Sequence, residues 1–342
     1  MYLFTMSMNK GKKLTVVAAT GLALAIAAAA AAASKGTTLS LVAYSTPKTV
    51  MGKIIAAWQG TPDGSGVNFN QSFGGSTDQA RAVIAGLPAD VLFLSTGDDV
   101  DLLVKAGLVD ANWDKQSYNG IGADSVIVFA LRPGNPKHIK SWADLVRPGV
   151  QVITPNPFAS GNGKWSVMAA YGAQRALGKT DAQAIAYVVK LFKHVVSQDS
   201  SSRNATNTFL SGKGDVMITY ESEALASRLS GTDIQYVIPR QTLLIELPLV
   251  IVKNSRNRDK AIQFMRFIKS EPAQELFGQY GWRPVNPVAA KKFASKYPAR
   301  PGIFGIGSKF IGGWIKADKR WFDPNHGEMV KIEQGVGGPT SG

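Results

Sequence analysis

From Leu39 onward the sequence alternates short apolar or β-branched runs with segments whose apolar residues recur at helical spacing. This alternation restricts the chain to an α/β architecture with mostly parallel sheets and helices on both faces. LSLVAY (39–44) reads as a buried strand, and PKTVMGKIIAAWQ (47–59) as an amphipathic helix with Val50, Ile54, Ile55 and Trp58 on one face. After a turn cluster at 61–66 come a strand at 67–72 and a helix at 76–86, opened by Ser76 as its N-cap. Further strands are expected at 90–95, 126–132, 150–155, 216–220 and 243–252. Further helices are expected at 98–106, 164–177, 181–194, from Ser222, and at 258–270. The Gly-rich end, 333–342, reads as a flexible tail.

Residues 1–34 stand apart from this pattern. Lys10, Lys12 and Lys13 precede a neutral, alanine-heavy run from Leu14 to Ala33, followed by Ser34-Lys35-Gly36. A basic start, an apolar stretch and small residues at a cleavage point describe a secretory signal, with cleavage expected near Ala33. A run of about 20 apolar residues also just spans a bilayer, so an uncleaved anchor is the alternative. The chain has no cysteine, which excludes disulfides, thiolate metal sites, cysteine nucleophiles and an N-terminal lipid. His138, His194 and His326 are scattered, so neither a metal nor another cofactor is expected. A net charge of +14 suits nucleic acid, an anionic membrane surface or a small anion alike. Export argues against nucleic acid, as does the absence of aromatic residues interleaved with basic ones.

In open α/β sheets ligands lie beyond the carboxyl ends of the strands, where the next helix begins. Five such junctions are rich in hydroxyls and glycines: Tyr44-Ser45-Thr46, Phe73-Gly74-Gly75-Ser76, the 156–163 stretch, the 199–206 stretch, and Tyr220. At any single junction a Ser or Gly serves as a helix cap. Recurrence at five ends points instead to donors converging on one rim, where helix N-termini receive an oxyanion. Enzyme motifs fail. Gly163-Lys164 lacks the remainder of a phosphate loop, because Phe158 and Trp165 stand where Gly and Ser or Thr are required. No nucleophile elbow is present. Glu221 and Glu223 read as acids of a helix's first turn rather than as a catalytic pair.

The stretches FGGSTDQARAVIAGLPADV (73–91), IVFALRPGNPKHIKSWADLVRPGVQVITPNPFASGNGKW (127–165), DSSSRNATNTF (199–209), GDVMITYESEAL (214–225) and FIGGWIKADKRWF (310–322) carry a family likeness. In order and content the chain resembles the periplasmic sulfate-binding proteins, solute receptors of sulfate ABC importers. The resemblance implies a two-lobed clamshell of the periplasmic-binding-protein fold (type II), with two crossovers between lobes. It also implies an anion held in the cleft by hydrogen bonds alone. The family's ligand positions fall on Ser45, Ser76, Ser160, Gly161, Asn162, Ser202 and Tyr220. Ser45 replaces an Asp whose backbone amide is the donor. Asn162 replaces a Gly and is able to follow a turn of positive φ. Tyr220 replaces a Trp; phenol both donates and accepts, whereas indole only donates. Related molybdate receptors use a Tyr donor, so sulfate, thiosulfate, molybdate and tungstate remain open.

The expectation is an exported, non-enzymatic receptor, monomeric, that hands sulfate or a related tetrahedral oxyanion to a membrane permease. Lobe 1 is expected at 38–123 plus 241–330, and lobe 2 at 124–240. Arg203 and Lys164 are expected behind the direct ligands or as steering charges, with a solvated surface position equally open for Lys164. The alternative of another class is a charge-driven surface or nucleic-acid-binding protein.

Overall fold

The computed structural model describes residues 36–342, so the signal expected at 1–34 lies outside the described residues. The first half of the fold is built from β1 (Thr38–Tyr44), α1 (Lys48–Gln59), β2 (Asn68–Gly74), α2 (Ser76–Ile84), β3 (Val91–Phe93) and α3 (Gly97–Lys105). The chain then crosses along β4 (Ile121–Leu131). The second half comprises β5 (Val152–Ile153), α4 (Gly161–Ala176), α5 (Asp181–Phe192), β6 (Val195–Ser197), α6 (Ser202–Leu210), β7 (Val216–Tyr220), α7 (Glu221–Leu229) and β8 (Gln235–Val237). The chain returns along β9 (Thr242–Ile251) to α8 (Arg258–Ile268) and α9 (Glu271–Tyr280), and later adds β10 (Ile303–Phe304).

The strand order is β2-β1-β3-β9-β4-β7-β5-β6, with β8 on β4 and β10 on β9. Among the described residues, five of nine strand pairings are parallel and four antiparallel, and every antiparallel one involves β4 or β9. The sheets are therefore more mixed than simple alternation predicts. β4 pairs with β9 over its first half and with β7 over its second, and β9 in turn reaches β3. The two long strands are thus the crossovers, and they run against the strands they join.

Packing follows the apolar pattern. α1 buries Val50, Met51, Ile54, Ile55 and Trp58, the predicted stripe plus one methionine. α4 is buried on every side except its last residues, which makes it a central helix rather than a surface one. Its N-terminus is thereby fixed at the middle of the molecule. The end of the chain departs from expectation: Glu328–Val336 form a helix burying Met329, Val330, Ile332 and Glu333, and Gly337 caps it with φ 75°. The flexible tail expected from Glu333 is corrected accordingly. A short apolar stripe outweighs local glycine content, and the carbonyl of Ser341 accepts a hydrogen bond from Asn156 Nδ2 at 2.8 Å.

The crossovers place two carboxylates opposite each other, Asp124 of β4 and Glu246 of β9. Burial, reinforced by Glu246, pushes the Asp124 carboxyl up to about 8. A carboxyl raised in the folded state stabilises below its unfolded pKa, and that stability is lost as pH rises through the folded value. Stability should therefore fall between about pH 5 and about pH 8, by at most about 1.4 kcal/mol per pH unit from this group. Denaturant unfolding of Asp124→Asn should lack this component of the slope; parallel pH profiles for the two proteins would contradict it.

Candidate functional site

Ser45, Ser76, Ser160, Gly161, Asn162, Ser202 and Tyr220 all border one small, tight cavity, together with Tyr44, Gly74 and Ser95. The seven positions singled out in the sequence, contributed by both halves, are thus brought together. A larger pocket opens beside it and shares Ser45 and Gly74 as walls.

Two glycines permit this convergence. A Cβ on Gly75 would lie 2.6 Å from the carbonyl oxygens of both Ala159 and Ser200. A Cβ on Gly161 would lie 2.5 Å from Ser95 Oγ and 2.7 Å from Ser95 Cβ. Side chains at either position would hold the two halves apart. Asn162 adopts no positive φ; it is the second residue of α4, so its replacement of glycine needs no left-handed turn. Its amide Nδ2 donates to Thr219 Oγ1 at 3.3 Å.

The capping explanation accounts for only one of these serines' neighbourhoods. Ser201 caps α6 by accepting from the Asn204 amide at 3.2 Å. Ser160 is the N-cap residue of α4, yet its side chain makes no capping bond. Ser76 is not a cap: Gly75 holds that position, and Ser76 Oγ accepts from the Ser95 amide at 2.8 Å. With a lone pair so engaged, the Ser76 hydroxyl proton is free to face the cavity. Among the described residues, the first-turn amides of Ser76, Gly161, Asn162 and Ser202 donate to no protein partner. These are orphan donors at the positive ends of three helices.

Tyr220 Oη and Ser95 Oγ share a hydrogen bond of 2.5 Å, and Trp165 Nε1 fixes the Ser95 carbonyl at 2.7 Å. Tyr220 therefore reaches the cavity while bridging to the segment after β3. Burial raises the pKa of both Tyr220 and Tyr44, so each phenol keeps its proton throughout the neutral range. Neither a carboxylate nor a cation borders the cavity. Such a site offers dry, neutral donors to a guest that only accepts.

Arg203 lies next to Ser45. Its amide donates to Ser45 Oγ at 3.3 Å, and its guanidinium pairs with Glu223 at 3.2 Å. Glu221 pairs with Arg283 at 2.8 Å, so both first-turn acids of α7 are engaged by arginines. Lys164 is neither a steering charge nor a solvated surface group, which corrects those two expectations. It is 3% exposed and bonds Asp98, Asp99 at 3.3 Å and, less closely, Asp318 at 3.9 Å. These carboxylates hold its pKa above the usual lysine value against the opposing effect of burial.

Ser95 and Tyr44 were not singled out as site residues. Ser95-Thr96-Gly97 repeats the hydroxyl-and-glycine pattern of the other junctions, but reading 90–95 as a continuous strand concealed it; β3 stops at Phe93. Tyr44 ends β1 in an apolar run and reads as core.

Among the described residues no group of three or more His, Asp or Glu is placed to hold a metal ion, and no helix is long and apolar enough to cross a membrane. The family described as bacterial extracellular solute-binding protein matches residues 39–283. The chain is similar to the sulfate-binding protein of Escherichia coli K12, 38% identical over 281 residues, 79% of this chain and 84% of that one. It is also similar to the thiosulfate-binding protein of Pseudomonas aeruginosa, 35% identical over 268 residues, 76% and 80% of the two chains. The solved structure of the sulfate-binding protein SubI from Mycobacterium tuberculosis superposes with a TM-score of 0.81 at 41% identity, covering 84% of this chain and all of that one.

Proposed function

Because the chain belongs to the bacterial extracellular solute-binding proteins, we propose that it is an extracytoplasmic sulfate receptor that delivers its guest to the membrane permease of an ABC importer. The observation that carries this reading is the small cavity ringed by hydroxyls and helix-start amides, with no carboxylate and no cation on its wall. Sulfate is fully ionised at neutral pH and presents only acceptors, so every wall group meets an oxygen lone pair. Hydrogen phosphate retains a proton and would find no carboxylate to receive it. The buried donor left facing that proton makes phosphate the poorer guest.

In this reading the halves 38–123 plus 241–330 and 124–240 are the lobes, and β4 and β9 supply the hinge between them. The ligands proposed are Ser45, Ser76, Ser160, Gly161, Asn162, Ser202 and Tyr220, with Arg203 behind Ser45. The protein acts as a monomeric carrier without a cofactor, performs no catalysis and has no nucleic-acid partner. Thiosulfate is the second reading, favoured by the thiosulfate-binding relative.

Calorimetric titration with sulfate, thiosulfate, molybdate and phosphate tests the proposal. Sulfate is expected to bind in the micromolar range or tighter, with phosphate far weaker. A charge-assisted hydrogen bond is worth about 1.5–3 kcal/mol, so Ser76→Ala should weaken sulfate about tenfold or more. Tighter thiosulfate or molybdate binding would displace sulfate as the physiological guest. Absence of heat with every oxyanion, beside salt-sensitive binding to DNA, would overturn the receptor reading itself.

A further inference from the structure

Tyr44 is buried against the cavity wall at the end of β1, next to the expected ligand Ser45. Its ring is held edge-on against Phe93 at 5.4 Å and Tyr220 at 6.2 Å between centroids. Its oxygen accepts a hydrogen bond from Trp282 Nε1 at 2.8 Å. Indole N–H is a donor and nothing else, so the direction of this bond is not open to reversal. Trp282 is itself 1% exposed and packs at 6.0 Å between centroids on Phe277.

A phenol has one proton to give. Among the described residues no protein acceptor takes it, since the bond with Trp282 is the hydroxyl's one contact of that kind. The nearby carboxylate of Glu223 pairs through Oε1 with Arg203 at 3.2 Å and accepts there from Thr206 at 3.1 Å, while its buried Oε2 has no hydrogen-bond partner and so takes no proton from Tyr44. A buried donor without an acceptor is costly, and native structures rarely keep one without a use.

We propose that Tyr44 is a further, specificity-determining donor of this site, its proton committed to the guest because Trp282 occupies its oxygen. This rests on reading the cavity as an oxyanion site. The consequence concerns selectivity as well as affinity. A free phenol accepts as readily as it donates, and would accommodate the proton of hydrogen phosphate. Trp282 weakens that option by engaging a lone pair, as the Ser95 amide does at Ser76. The site then holds two hydroxyls whose oxygens each already accept one bond and which are biased to give a proton rather than take one, which penalises any protonated tetrahedral anion.

The test is calorimetric titration of wild type, Tyr44→Phe and Trp282→Phe with sulfate and with phosphate, together with ligand-free melting. Tyr44→Phe should weaken sulfate about tenfold or more. Trp282→Phe keeps the phenol but frees its lone pair, so the preference for sulfate over phosphate should narrow by a larger factor than sulfate affinity falls. Tyr44→Phe binding sulfate like wild type would overturn the assignment while leaving the receptor reading intact. So would equal losses for both anions in both variants, which would reduce the pair to a packing role. A wild type that takes up no sulfate would overturn the receptor reading and the Tyr44 assignment together. Should Trp282→Phe fail to fold, the sulfate affinity of a folded Tyr44→Phe decides alone.

Discussion

Replacing Gly161 by alanine is expected to raise the melting temperature of the ligand-free protein slightly and to weaken sulfate binding about tenfold to a hundredfold. The two signs separate the causes. Gly161 is the first residue of α4 with no positive φ, so alanine removes unfolded-state entropy and favours the helix by up to about 1 kcal/mol. The added methyl nevertheless falls 2.5 Å from Ser95 Oγ and 3.0 Å from Thr96 Cγ2. These atoms belong to the facing half, so the clash exists only when the halves are closed. Overpacking of this kind costs about 1–3 kcal/mol, which converts to the stated loss of affinity. Calorimetry and thermal melting read the two effects independently. Unchanged affinity in Gly161→Ala would mean that the guest does not require the halves to meet at this point.

Lys164→Met is expected to have the largest effect of any single change near the site. Lys164 stands three residues after Gly161 on α4, and its partners Asp98 and Asp99 open α3 in the facing half. The charges are 4%, 4% and 0% exposed at their side chains, so the network joins the halves through the dry interior. Removing one partner of a buried pair leaves the other charge uncompensated, at about 3–5 kcal/mol. The loss should appear as weaker sulfate binding if the halves open to hydrate the two acids, and as a lower melting temperature if they do not. Burial already raises the Asp98 carboxyl, against the opposing pull of Lys164. Without the lysine it rises further, and a raised carboxyl is stabilising when protonated, so the variant should recover as pH falls. Adding Asp98→Asn and Asp99→Asn should restore most of the loss. A single variant that melts and binds like wild type would show the network to be inconsequential.

Lys164 also shows where sequence reasoning stops. Its carboxylate partners lie 66 and 65 residues away, and in the sequence they are indistinguishable from ordinary first-turn acids. Burial of a charge is a property of the assembled halves, so neither segment announces it. The site's hydroxyls were legible because each follows a strand and opens a helix, a local pattern repeated at several junctions. Ser95 carries the same pattern and escaped because β3 is three residues long and its boundary was placed two residues late. Tyr44 escaped for a different reason: its function depends on Trp282, 238 residues away, holding its oxygen. The terminal helix was hidden by glycine content, although Met329, Val330 and Ile332 already supplied its apolar side. The alternation of strands and helices conveyed the α/β class, and the family likeness the two lobes, but neither conveyed the antiparallel direction of the crossovers. That direction follows from which half each long strand must enter, a long-range property.

In the proposed receptor, neutral donors from both halves enclose a bare tetrahedral dianion. Selenate has the same shape and charge as sulfate and scatters anomalously, so a crystal grown with it locates the guest without ambiguity. One anomalous peak is expected in the small cavity, its oxygens within hydrogen-bonding distance of Ser76 Oγ and the Gly161 amide, with no cation beside it. A peak in the open pocket against the Arg203 guanidinium, with the cavity unfilled, would contradict it.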